Sequence, residues 1–131
     1  MKKFFYNWAP VLAYFILIFI LSSLPLHAPG HSDKIIHFFE FFFMGFLTTR
    51  GILLSFNLSR FYGVLSGSAL AALFGVLDEV HQLFVPARQA SVGDALADSL
   101  GALVGALCFV YLGIFLLKQG KVYPKEHDSC C

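Results

Sequence analysis

Four apolar runs, each about as long as a bilayer is thick, occupy most of this chain. They extend from Trp8 to Leu24, from Ser32 or Asp33 to Leu54, from Arg60 to Phe84 and from Val92 to Leu117. A helix that crosses the hydrocarbon core needs roughly 20 apolar residues. The 131 residues therefore hold four such helices joined by short breaks. Hydrophobic residues make up 58% of the chain and charged ones only 13%, with a mean hydropathy of +0.76. A soluble domain carries about twice that share of charge, so both an ordinary soluble globule and a disordered chain are excluded. A net charge of +1 with no basic stripe gives nucleic acid nothing to bind. Cys108 sits in an apolar run, and Cys130 and Cys131 are adjacent at the end of the chain. Three cysteines so placed form neither a disulfide framework nor a metal motif, and Cys108 reads as a small apolar side chain.

Met1-Lys2-Lys3 ahead of an apolar run also fits a signal peptide. Ser22-Ser23-Leu24-Pro25-Leu26-His27-Ala28 is a poor cleavage site, so the expectation is a retained first helix with Tyr6 and Trp8 at headgroup level. Pro25 and Pro29-Gly30 end it. The second helix is dense in Phe, and Arg50 in its last turns can snorkel to the surface. Pro86 and the turn before Ser91 close the third. Ser91-Val92-Gly93-Asp94 reads as a capping box opening the fourth. Lys118–Cys131 reads as a loose polar tail, and residues 1–117 as the membrane domain.

With the N-terminus inside, seven of the nine basic residues face the cytoplasm: Lys2, Lys3, Arg50, Arg60, Lys118, Lys121 and Lys125. Only Lys34 and Arg88 lie outside, as the positive-inside rule requires. The acids run the other way. Asp33, Glu40, Asp78, Glu79, Asp94 and Asp98 all fall at the outer ends of helices, and only Glu126 and Asp128 are in the tail. His27, His31, His37 and His81 are outside as well. A charge at the helix centre costs roughly 2.5–3.5 kcal/mol on insertion scales. The stretch from Asp78 to Gly105 therefore needs a use that offsets its acids.

Small residues recur every fourth position in the third helix (Gly63, Gly67, Ala71, Gly75) and in the fourth (Gly93, Ala97, Gly101, Gly105). Such stripes let membrane helices approach closely. They predict a tight hairpin of the third and fourth helices with Glu79 turned into the contact. Asp33, His37 and Glu40 share one face of the second helix. At 1.5 Å per residue, Glu40 lies roughly 10 Å below Asp33, and Asp78 roughly 9 Å below Phe84. The matching depths let three helices meet around one polar site.

Asp33-Lys34-x-x-His37-Phe38-x-Glu40-Phe41 is followed by Asp78-Glu79-x-His81-Gln82-x-Phe84-x-Pro86-x-Arg88, and then by Asp94 and Asp98 before Gly101. This pattern resembles the VanZ-like family, small bacterial membrane proteins named for a teicoplanin-resistance factor. The motifs span the second to fourth helices, about two-thirds of the chain. Ala87 replaces a frequent Gly and Asp98 a frequent Asn, which adds a charge. The resemblance implies a multi-pass protein of the bacterial plasma membrane and, for some members, lowered sensitivity to glycopeptide antibiotics. It supplies no settled reaction.

Two readings of the chemistry stay open. In the first, the polar residues bind a headgroup, a peptide stem or a glycopeptide-related drug, with Asp33, Gln82, Arg88, Asp94 and Asp98 as ligand-binding candidates. In the second, the chain is an enzyme on a lipid-linked envelope substrate, with His37, Glu40, Asp78 and Glu79 as acid–base candidates. Asp78 and Glu79 point roughly 100° apart on a helix, so they are not automatically a dyad; His37 with Asp33 or Glu40 is a better pair. Arg88 can grip a phosphate or carboxylate, and the outward N-termini of the second and fourth helices favour anions. No nucleophile motif is visible. A divalent metal is not favoured, because no H-E-x-x-H or Cys/His spacing occurs, although an oxygen-rich set suits Ca²⁺ or Mg²⁺. Four helices are few for a proton-coupled transporter unless the chain oligomerises, and the oligomeric state does not follow from the sequence. Plainer roles compete at several positions: a helix cap for Asp94, a solvated helix start for Asp33 and Lys34, an interfacial side chain for His81, and loop positions for His27 and His31. The expected architecture is an all-α integral membrane bundle of four transmembrane helices with both termini cytoplasmic.

Overall fold

The computed structural model describes residues 2–24, 31–86, 88 and 90–118. The turn with Pro25, His27 and Pro29-Gly30, the position of Ala87, and the tail with its charged residues and Cys130 and Cys131 lie outside this set. So does the His31 side chain. Four helices make up the fold: α1 (Lys2–Ser22), α2 (His31–Ser55), α3 (Arg60–Gln82) and α4 (Val92–Lys118). No strand occurs among the described residues. All four are long and apolar enough to cross a membrane. The helix-rich architecture follows from the runs read above, with boundaries within a few residues of those expected except at α1, which begins six residues earlier, at Lys2, and takes Pro10 into its body.

α2 is the hub and packs against each of the other three helices. Its contact with α4 is the closest in the bundle. A Cβ on Gly101 would overlap the Phe38 carbonyl, one on Gly105 the Phe42 carbonyl, and one on Gly45 the Ala102 carbonyl. The small-residue stripe of α4 therefore serves α2, not the expected hairpin with α3. The α3 stripe also turns mainly to α2, where Gly63 meets Leu53 and Gly67 meets Thr49, and reaches α4 at Gly75 beside Asp98. Small residues permit contact but carry no address, which is why the partner was misread. α3 still packs along α4, as the stripes imply, but more loosely.

Val11, Ile18, Phe41, Met44, Ala71 and Ala102 form the buried apolar centre. Polar links reinforce it. The Thr48 hydroxyl lies 2.9 Å from the Gly67 carbonyl of α3 and donates across the helix pair. Asn7 and Trp8 of α1 both donate to the Ser55 hydroxyl of α2, at 3.3 and 3.1 Å. α1 is thus integral to the bundle. The outward faces are Leu, Ile, Val and Phe, including Leu65, Leu73, Leu100 and Leu107, each about half exposed or more. Acyl chains suit such a surface, which in water would aggregate.

Candidate functional site

The first turns of α2, the last turns of α3 and the first turns of α4 meet at one end of the bundle. Helical periodicity puts Asp33, His37 and Glu40 on one face of α2, Asp78, Glu79 and Gln82 at the end of α3, and Asp94 and Asp98 on one face of α4. His37, Asp78, Glu79, Gln82, Asp94 and Asp98 are all buried. The lysines and arginines at Lys2, Lys3, Arg50 and Arg60 lie at the other end, so the bundle is acidic at one pole and basic at the other.

At the centre, His37 Nδ1 stands 3.0 Å from Asp98 Oδ1 and 3.9 Å from Glu79 Oε1. With its proton on Nδ1, the ring donates to Asp98 and is held in one orientation. Asp98 is completely buried and fits only because Gly75 faces it. A Cβ there would come within 2.8 Å of Asp98 Cβ and 2.9 Å of Oδ2.

Glu79 Oε2 accepts a 2.8 Å hydrogen bond from the Ser91 N–H. This corrects the local capping box. Ser91 does cap α4, since its Oγ accepts from the Gly93 N–H at 3.1 Å. The acid that satisfies the Ser91 N–H, however, is Glu79 of the preceding helix. Asp94 is released from that role and pairs with Lys34 Nζ at 3.0 Å. Asp78 Oδ2 accepts from Gln82 Nε2 at 2.9 Å, one turn along α3. Asp78 Oδ1, Glu79 Oε1 and Asp98 Oδ2 are buried without a hydrogen-bond partner among the described residues. Such atoms are costly, at about 1–3 kcal/mol each, and more when charged.

Glu40 is half-buried, within Coulombic reach of His37, Asp78, Asp98 and Arg88. Arg88 lies at the rim with Nη1 4.0 Å from Asp33 Oδ1, and its Nε donates to the Leu24 carbonyl at 3.3 Å. Its guanidinium is thus partly committed, and less free to clasp an anion than the sequence suggested. Asp33 and Lys34 each take a partner from across the bundle in place of a simply solvated helix start. His81 stands apart from the cluster. Its ring stacks on Phe19 at 4.1 Å, and Nε2 lies 3.0 Å from Ser23 Oγ, which ties the end of α1 to α3.

All nine candidate residues therefore gather at one pole, with His37 hydrogen-bonded to Asp98 and 3.9 Å from Glu79 at its centre. Lys34 and the Ser91 N–H were missed as site groups. The Ser91 signature was visible in sequence, but the helix that completes it was not. Two sets of three groups have ligand atoms within 4.8 Å of one another: Asp33, His37 and Asp94, and His37, Glu79 and Asp98. Two surface depressions lie elsewhere. One of about 510 Å³ is bounded by Lys2, Lys3, Tyr6, Asn7 and Leu54 at the basic pole. The other, of about 410 Å³, is an apolar groove between α3 and α4.

Fold and site together define a small multi-pass helical membrane protein with a buried acid–histidine cluster where three helix ends meet. The VanZ/LLP1 family model matches residues 3–116, all four helices nearly end to end, and the chain belongs to that family. No curated protein and no solved structure matches it.

Proposed function

We propose that the protein works in the bacterial cell envelope, with both termini cytoplasmic and the acidic pole on the extracytoplasmic side. There the cluster forms the floor of a pocket for an envelope precursor or a glycopeptide-related ligand, and lowered teicoplanin sensitivity is the cellular outcome. One observation carries this reading. Once Lys34 is assigned to Asp94 and Arg88 to Asp33, four carboxylates remain around the His37 imidazole among the described residues: Glu40, Asp78, Glu79 and Asp98. That imbalance favours a ligand that brings positive charge and hydrogen-bond donors, such as the amine of a peptide stem or of a glycopeptide. Charge-assisted hydrogen bonds of this kind are the strong ones.

Binding of lipid-linked precursor and of teicoplanin to the purified protein tests the proposal. Glu40→Gln and Asp78→Asn are each expected to weaken binding about tenfold, or ~1.4 kcal/mol, and to restore sensitivity in cells. Binding that ignores both substitutions would remove the acids from the recognition.

The 3.0 Å contact between His37 and Asp98 supports a second reading, a membrane-embedded hydrolase or transferase. An imidazole oriented by one carboxylate beside another is a general acid–base arrangement. Turnover of lipid-linked precursor that stops in His37→Ala would favour it. Binding without turnover would favour the first.

A further inference from the structure

We propose that His37, Glu79 and Asp98 form a site for one divalent transition-metal ion of the Zn²⁺ type. The inference deepens the pocket proposed above and rests on that pocket being a working site. It starts from spacing. Three donors at about 2.1 Å from a tetrahedral ion stand roughly 3.4 Å from one another. His37 Nδ1 lies 3.0 Å from Asp98 Oδ1 and 3.9 Å from Glu79 Oε1, on either side of that figure. One donor atom from each of the three side chains falls within 4.8 Å of the other two. Small side-chain movements close such a set on an ion without moving a helix.

Charge leads to the same place. Two carboxylates and a neutral imidazole carry a charge of −2, which a divalent cation cancels. Glu79 and Asp98 have side-chain exposures of 9% and 0%, so neither is stabilised by bulk water. Glu79 Oε1 has no hydrogen-bond partner and points at the His37 ring. In the metal-free chain the ring proton on Nδ1 stands where the ion would bind; with the ion bound, the neutral ring carries that one proton on Nε2 instead, and Nδ1 is free to ligate.

The surroundings are those of a ligand set. The Ser91 N–H holds Glu79 by Oε2 and leaves Oε1 directed inward. Outer-shell bonds of this sort orient metal ligands. Gly75 shapes the space for Asp98. The donors come from three different helices, so an ion would tie α2, α3 and α4 together at this pole. One imidazole nitrogen with two carboxylate oxygens suits Zn²⁺ better than Mg²⁺, which prefers oxygen and water in an octahedron. Three protein donors leave a fourth position open to water or ligand.

The test uses the full chain in detergent, without a polyhistidine tag, and with Cys108, Cys130 and Cys131 changed to Ser so that thiolates do not bind metal. After dialysis against Zn²⁺, elemental analysis should find one ion per chain, and thermal unfolding should move upward. Glu79→Gln and Asp98→Asn should each weaken binding at least about tenfold, and excess Mg²⁺ should not compete. Retained helicity and elution volume establish that a variant is folded; if Asp98→Asn does not fold, His37→Gln takes its place. An absence of bound Zn²⁺, undiminished binding in both folded variants, or equal competition by Mg²⁺ would each overturn the site. No organic ligand enters the assay. Metal uptake with no precursor or drug binding would fault the pocket's proposed ligand, whereas the reverse result would fault the metal site alone.

Discussion

Asp98 is completely buried, and among the described residues its one hydrogen-bond partner is His37. The His37 ring supplies that partner through Nδ1, and Gly75 supplies the room. Removing Asp98 leaves the buried His37 Nδ1–H without its acceptor, and a buried donor left unsatisfied typically costs about 1–3 kcal/mol. Asp98→Ala should therefore lower the thermal unfolding temperature in detergent sharply. Lys34→Ala should cost less, because the Lys34 side chain is 46% exposed and water can reach the vacated position, although its partner Asp94 is only 5% exposed. Equal losses in the two variants would mean that the Asp98 pair is no more structural than the rim. At this scale the sequence was informative about identity and depth. Helical spacing and hydropathy together put His37, Glu40, Asp78, Glu79 and Asp98 near one level. Which atoms meet was not legible. The Glu79 bond to the Ser91 N–H and the Lys34 bond to Asp94 depend on how α3 and α4 are rotated about their axes, and no local pattern records that.

Helix against helix, the glycines decide. Close approach of α2 and α4 requires that Gly101 and Gly105 carry no side chain, since the α2 backbone occupies the space. Hydrocarbon provides no hydrophobic drive to hold the pair together, so van der Waals contact and polar links must do so. Gly105→Leu should push the helices apart, separating His37 from Asp98, and should give a broadened elution profile with early unfolding. Overpacking alone commonly costs about 1–3 kcal/mol. Gly113→Leu is the control, with no described atom within 4 Å of its added Cβ, and should elute and unfold like the parent. The stripes were plain in sequence and the conclusion of tight packing was sound. The two stripes do not chiefly face each other, as the α3–α4 hairpin required; both turn mainly to α2, which packs against all three other helices. α1 belongs to the same account: Val11 and Ile18 are buried against the bundle, and Phe19 and Ser23 engage His81.

The whole molecule is polarised, with basic side chains at one end and the acid–histidine cluster at the other. The proposed orientation, with the basic end in the cytoplasm, is the one the positive-inside rule expects. Single cysteines in a chain without its native ones read this out. Phe84→Cys and Val92→Cys, at 80% and 81% exposure, should react with a membrane-impermeant maleimide on intact cells. Tyr6→Cys and Phe61→Cys, at 73% and 70%, should react only after permeabilisation. The opposite pattern would invert the topology and place the cluster on the cytoplasmic side.

Length and apolarity of the four runs were enough to determine helices, their number and their fitness for a membrane, because a backbone in hydrocarbon must satisfy its own hydrogen bonds. The order of charges along the chain was enough to gather the acids at one pole. Only the tertiary structure decided that α2 is the hub, that Glu79 completes the cap of α4, and that His37, Glu79 and Asp98 converge. Those facts depend on the rotation and pairing of whole helices. Rotation and pairing arise from contacts among residues far apart in sequence, and spacing along a single helix contains no information about them.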